Sequence, residues 1–149
     1  MLLNTSYEII FNGIEAAFVA QLLKFIGHIF KTRKVNFQVL ATTGGMPSAH
    51  TAGVIALSTT VGFICGFDQV EFAIALGYAL VVMYDAAGLR RSTGKIAACL
   101  NKICDEVYSQ GQMQPERLKE LLGHTPVEVF GGALLGIYIA YINHFCLFQ

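Results

Sequence analysis

A chain of 149 residues with 54% hydrophobic and 13% charged residues and a mean hydropathy of +0.55 is long enough for one domain and carries about half the charge of an ordinary soluble surface. Such hydropathy excludes intrinsic disorder, and ten basic against ten acidic residues leave no surplus for a nucleic-acid partner. Four cysteines without CxxC spacing argue against a disulfide scaffold, so the composition points to a single apolar domain, residues 1–149, whose solvent is a lipid bilayer.

Four long apolar stretches follow one another: about Ile9 to Phe30, Thr51 to Phe67, Phe72 to Leu89 and Val127 to Phe148. Each has roughly the length that an α-helix needs to cross a hydrocarbon core. The first lacks the basic flank and small-residue cleavage site of a secretory signal, so it reads as a span. A soluble bundle with very apolar core helices is the competing architecture. Helices apolar all round belong to membranes or large cores, and this chain is too short for a large core. The expected fold is an all-α integral membrane bundle of about four spanning helices.

Lys31, Arg33 and Lys34 follow the first stretch, and Arg90, Arg91, Lys95, Lys102, Arg117 and Lys119 lie between the third and fourth. With four spans these two basic loops share one side, which the positive-inside rule makes cytoplasmic, with both termini outside. Thr93 to Val107 has helical spacing, with Ile96, Leu100 and Ile103 on one face. Gly111 breaks the pattern and Pro115 opens a short helix through Leu122. Residues 92–122 are therefore expected to form a polar cytoplasmic hairpin lying across the inner mouth of the bundle.

Charges within a bilayer face a bundle interior or a wet cavity, which makes each a functional candidate. Gln21, Lys24, His28 and Lys31 share one helical face. Lys24 serves either as a ligand contact or as a register-fixing partner of Asp85. Glu15, on the opposite face and nearer the outer end, reads as interfacial or structural.

Two segments carry the chemistry: Gly44-Gly45-Met46-Pro47-Ser48-Ala49-His50 and Gly123-His124-Thr125-Pro126-Val127-Glu128. Each is a glycine-led turn with a proline expected at the first position of an apolar helix, and each sets a histidine within a turn of that helix start. Helix N-termini offer unpaired N–H groups to a phosphate. Thr125 to Glu128 also fits the S/T-x-x-E capping box, which needs no catalytic role for Glu128.

At these residues the sequence resembles the type 2 phosphatidic acid phosphatase superfamily, which includes the vanadium-dependent haloperoxidases. It looks most like that superfamily's divergent small membrane branch. Pro47-Ser48-Ala49-His50 is similar to the PSGH motif with Ala for Gly, and His124 with Glu128 resembles the His-x-x-x-Asp pair with Glu for Asp. GGMPSAH, YDAAGLRR and LLGHTPVEV, in this order, carry the likeness over most of residues 20 to 140. Two motifs depart from the pattern. Lys24 is followed seven residues later by Lys31 and Thr32 where the superfamily has Arg-Pro. The Ser-Arg before the nucleophile is missing, with Leu118 six residues before His124 and Arg117 one place off.

The resemblance implies a metal-independent phosphatase without cofactors, acting on a lipid phosphate or pyrophosphate of phosphatidate or polyprenyl type. His124 would be the nucleophile forming a phosphohistidine, Glu128 its orienting partner and His50 the general acid. Arg90, Arg91, Lys24, Ser48 and the amides of Gly44 and Gly45 would hold the phosphate oxygens, with Asp85 in support. The rivals are a non-enzymatic membrane protein that binds anionic lipid or assists assembly, and a metal-dependent hydrolase using His50, His124, Asp85 and Glu128. The expected partners are membrane lipid and a lipid phosphate substrate, with no nucleic acid. Gly132 and Gly136 form GxxxG, which serves packing within the bundle in preference to homo-oligomer contact. Cys99 and Cys104 fall in the cytoplasmic hairpin, and Cys65 and Cys146 both approach the outer face.

Overall fold

The computed structural model describes residues 6–37, 45–107 and 124–147, with side chains excepted at 89–93 and 106–107. Among these residues all regular structure is helical: α1 (Ser6–Thr32), α2 (Ala49–Cys65), α3 (Val70–Ala87), α4 (Leu89–Val107) and α5 (Pro126–Ile142), which continues as a π-helical turn over Asn143–Leu147. Each of the four apolar stretches is a helix. Three of them, Ser6–Thr32, Val70–Ala87 and Pro126–Leu147, are long and apolar enough to cross a membrane. The other, α2, has only 17 residues, about 25 Å at 1.5 Å per residue and short of a ~30 Å hydrocarbon core. Its limits are local: the Ser48 side chain caps one end, and Gly66 leaves the helix at φ 109° with its N–H on the Gly62 carbonyl.

α2 is nonetheless the central helix. It runs antiparallel to α1, as the pairing of Asn12 with Thr60 and of Lys24 with the Gly45 turn shows. Alongside α5 it runs parallel, Ser48 meeting Gly132 and Ala52 meeting Gly136. The core consists of Ala16, Ala20, Ala52, Ala56, Ile139 and Ala140, while Phe11, Phe18, Leu80, Val81, Phe130 and Leu134 face outward. Lipid tails are as apolar as leucine, so large side chains gain nothing by turning inward. Small residues at the seams let backbones approach and gain dispersion contacts instead. A Cβ at Gly136 would lie 2.5 Å from the Ala52 carbonyl oxygen and 2.9 Å from the Ala56 nitrogen. The GxxxG pair thus packs inside the bundle, against α2.

At the end of the bundle far from the basic loops, polar side chains fasten α1 to α2 and α5. Asn12 Nδ2 donates to Thr60 Oγ1 at 2.9 Å, and Asn143 Nδ2 donates to Asn12 Oδ1 at 2.8 Å and also to the Glu15 carboxylate. His144 Nδ1 lies 2.8 Å from Glu8 Oε1, its ring stacked on Phe63 at 5.1 Å. The π-helical turn lets the consecutive residues Asn143 and His144 both reach α1. Glu15, expected to be interfacial or structural, accepts a hydrogen bond from Asn143 in this network. Asn12, Thr60 and Asn143 were invisible as a set because three separate stretches supply them.

One local expectation is corrected. Pro47 does not open α2; it precedes the cap, because Ser48 supplies the side-chain oxygen that receives the Thr51 N–H. Pro126 does occupy the start of α5. In α4 the apolar residues Ile96, Leu100 and Ile103 are exposed, whereas Gly94, Ala97 and Asn101 are the buried positions. Small residues again take the packed face. Gly111 and the short helix from Pro115 to Leu122 lie outside the described residues. All four cysteines are free, with Cys65 and Cys146 exposed.

The Gly136→Ala substitution is expected to destabilise the bundle by about 1–3 kcal/mol, since backbone must move to admit the methyl group. Gly77→Ala, where a Cβ meets nothing within 4 Å, should stay within about 0.5 kcal/mol. Thermal unfolding of the two variants in detergent measures the difference. By the same assay Asn12→Ala should lose about 1–3 kcal/mol, because Asn143 and Thr60 each lose a buried partner.

Candidate functional site

The ends of α1 and α3 and the starts of α2 and α5 meet at the end of the bundle where the basic segments attach. α1 stops at Arg33, which takes a left-handed conformation at φ 53° while its N–H still bonds the Ile29 carbonyl at 2.8 Å. Two backbone hydrogen bonds then join the histidine-bearing turns to the rest. The Ser48 N–H donates to the Glu128 carbonyl at 3.0 Å, and the His124 N–H donates to the Ala86 carbonyl at 3.1 Å. The second bond places His124 beside the last turn of α3, where Asp85 lies half-buried.

His124 is 1% exposed. Its Nδ1 lies 3.0 Å from Glu128 Oε2, and the same oxygen accepts the Thr125 N–H at 3.1 Å, while Thr125 Oγ1 receives the Glu128 N–H at 3.4 Å. The capping box and the histidine contact therefore coexist on one carboxylate. His124 Nε2, by contrast, is buried and has no hydrogen-bond partner among the described residues. A buried polar atom in that state is expensive to maintain unless a ligand completes it.

Ser48 is fully buried. Its hydroxyl accepts from the Thr51 N–H at 3.4 Å and from Thr51 Oγ1 at 3.1 Å. Lys24 is 7% exposed and donates to Gln21 Oε1 at 3.0 Å. Its stem lies against Gly45, where a Cβ would stand 3.3 Å from Lys24 Cδ. Gly45 also sits at φ 95°, so backbone conformation and space both require glycine there. The stripe on α1 holds no acid of its own, yet the fold brings the charge of Glu128 on α5 to bear on Lys24.

The structure thus gathers His124, Glu128, Ser48, Gly45 and Lys24 at one end. His50 is in the first turn of α2 with its side chain exposed, and His28 and Lys31 continue the polar stripe outward. Arg90 and Arg91 belong to α4, but their side chains, like Gly44, lie outside the described residues. Among the described residues no three His, Cys, Asp or Glu side chains cluster as a metal-ligand set. Sequence reasoning missed the Ala86 carbonyl that anchors His124 and the seat that Gly132 provides under Ser48. Only the GxxxG spacing hinted at the latter.

The family model described as the Divergent PAP2 family matches residues 5–139. A curated relative, the "Uncharacterized membrane protein YuiD" of Bacillus subtilis (strain 168), is 35% identical over 153 residues, covering 95% of this chain and 96% of that protein. No solved structure matches.

The double duty of Glu128 is separable by mutation. Glu128→Gln keeps an oxygen for the Thr125 N–H and should alter stability by no more than about 0.5 kcal/mol, whereas Glu128→Ala removes half the capping box and should lose about 1–2 kcal/mol. Thermal unfolding of both variants in the same detergent decides this.

Proposed function

The chain belongs to the divergent PAP2 family, and from that premise we propose that it is a membrane phosphatase hydrolysing a lipid phosphate or pyrophosphate through a phosphohistidine. One observation carries the proposal: Glu128 engages His124 Nδ1 at 3.0 Å, while Nε2 is buried and unpartnered among the described residues. A carboxylate at Nδ1 fixes the tautomer in which Nδ1 bears the proton and Nε2 presents its lone pair, and it stabilises the positive charge that develops on attack.

In the proposed reaction Nε2 bonds to phosphorus as the bond from phosphorus to the lipid oxygen breaks, and His50 delivers a proton to that oxygen. Water then attacks the phosphohistidine, His50 takes up its proton, and breaking of the N–P bond releases inorganic phosphate. Splitting hydrolysis into two displacements lowers each barrier. Catalysis of phosphoryl transfer rests on neutralising the equatorial oxygens. Lys24, buried on the polar stripe of α1 against the Gly45 turn, would supply positive charge there. The Ser48 hydroxyl accepts both of its bonds from Thr51, so its own proton is available to a phosphate oxygen. The Gly44 and Gly45 amides, Arg90 and Arg91 complete the proposed set, with Asp85 supporting from the end of α3. No metal or cofactor takes part.

The proposed location is the cell membrane, with the site on the cytoplasmic face where nine of the ten basic residues fall. A phosphate head would meet that charge while its hydrocarbon stays in the bilayer. The missing Arg-Pro and Ser-Arg motifs favour a second reading, a lipid-binding or assembly protein without hydrolysis.

Purified protein in EDTA should release inorganic phosphate from a lipid monophosphate and be inhibited by vanadate. His124→Asn should abolish turnover, and Glu128→Gln should lower kcat by about 10²–10⁴-fold in a protein that still folds. Phosphate release that persists in His124→Asn removes the nucleophile. No release from any of a broad phosphate panel, with anionic lipid still bound, selects the non-enzymatic reading.

A further inference from the structure

α4 has 19 residues, the length of a membrane span, but Arg90, Arg91, Lys95, Lys102, Asp105 and Glu106 stand within it. So many charges do not enter a hydrocarbon core, and α4 does not cross the bilayer. Its described side chains divide among three sides. Gly94, Ala97 and Asn101 are buried. Ile96, Leu100 and Ile103, spaced by four and three residues, form a second side and are 60%, 44% and 49% exposed. Lys95 and Lys102, seven residues apart, are exposed on a third. The buried side already serves packing within the protein, so the Ile96–Leu100–Ile103 side is an additional apolar surface.

The start of α4 is fixed at the edge of the membrane. α3, long and apolar enough to cross, ends at Ala87. Gly88 then interrupts the helix at φ −104° and ψ −72°, with its N–H on the Tyr84 carbonyl at 2.9 Å. Val81 and Tyr84, on the outward side of α3 before this break, are 68% and 81% exposed. An exposed tyrosine at the end of a span sits at headgroup level, and Gly88 lies four residues, about 6 Å, beyond it. α4 therefore begins where the lipid-exposed surface of α3 ends. Its four basic residues all precede Asp105 and Glu106, which stand near its far end. We propose that α4 is an interfacial helix that binds anionic phospholipid, with Ile96, Leu100 and Ile103 in the acyl-chain boundary and Lys95 and Lys102 on lipid phosphates beside it. Lysine stems cover apolar surface while their ammonium groups stay among headgroups. Helices of this kind are held by buried apolar area together with attraction to anionic lipid. This surface is separate from the histidine turns, and nothing in it depends on the phosphatase reading.

The chain contains no tryptophan, so Leu100→Trp gives the full-length protein a single indole on the apolar side, and Lys102→Trp gives it one on the charged side. Both positions are exposed, and Ile103→Trp independently repeats the first. In nanodiscs, phospholipid brominated in its acyl chains should quench Leu100→Trp and Ile103→Trp about threefold more than Lys102→Trp. At equal mole fraction, brominated phosphatidylglycerol should quench Leu100→Trp about twofold more than brominated phosphatidylcholine. Adding Lys95→Gln and Lys102→Gln to that variant should abolish the preference. Equal quenching on the two sides of the helix overturns the proposal. So does bromolipid that fails to quench Leu100→Trp, whether aqueous acrylamide reaches the indole or a second copy shields it from both. Insertion without preference for the anionic lipid also overturns it, leaving an apolar contact with the bilayer and no binding of anionic phospholipid.

Discussion

The close approach of α2 and α5 governs the rest of the molecule. At Gly132 and Gly136 the helices run so near each other that a Cβ would fall 2.5 Å from the carbonyl oxygens of Ser48 and Ala52. This proximity lets the Ser48 N–H reach the Glu128 carbonyl and so joins the two histidine-bearing turns. Burying larger side chains could not substitute for it, because apolar surface gains no hydrophobic advantage over lipid. Dispersion between closely packed backbones and a few hydrogen bonds must supply the adhesion. The alanine-rich core and the outward aromatic residues are two expressions of the same constraint.

Polar groups are placed where they fix geometry. At one end Asn12, Thr60, Asn143, Glu15, Glu8 and His144 tie three helices together. In a low-dielectric interior a satisfied network holds register strongly, and an unsatisfied member is costly. At the other end Glu128 completes a helix cap, engages His124 and lies within the electrostatic reach of Lys24. One carboxylate at a junction of three elements couples helix initiation to the state of the imidazole. His124 Nε2 stands outside this general satisfaction, and that exception gives the site its chemical interest.

Much of the architecture could be read before the fold was known, and the misreadings have specific causes. The apolar runs marked four helices, but the brevity of α2 depends on where Ser48 and Gly66 cap it. Proline at a helix start is a good signal that nonetheless placed Pro47 one step too far in, since a serine with a suitable side-chain oxygen outcompetes it for the boundary. Ile96, Leu100 and Ile103 share one face of α4, as their spacing indicates, but which face packs was not legible, and Gly94, Ala97 and Asn101 are the buried positions. Glu128 was legible both as the partner of Thr125 in a cap and as the candidate catalytic partner of His124, and the structure shows that the two geometries are compatible.

Local patterning alone determined that this is a helical membrane protein with its positive charge gathered in two segments, and it marked two histidine turns as the candidate site. These are properties of contiguous residues: apolar length, helix-start residues and the spacing of charge. Tertiary structure decided that α2 is the centre, that the GxxxG face is internal, that Glu128 serves three neighbours and that α3 meets α5 at His124. Each of these depends on backbone-to-backbone distance between segments far apart in the chain, and no periodicity within one segment encodes that distance.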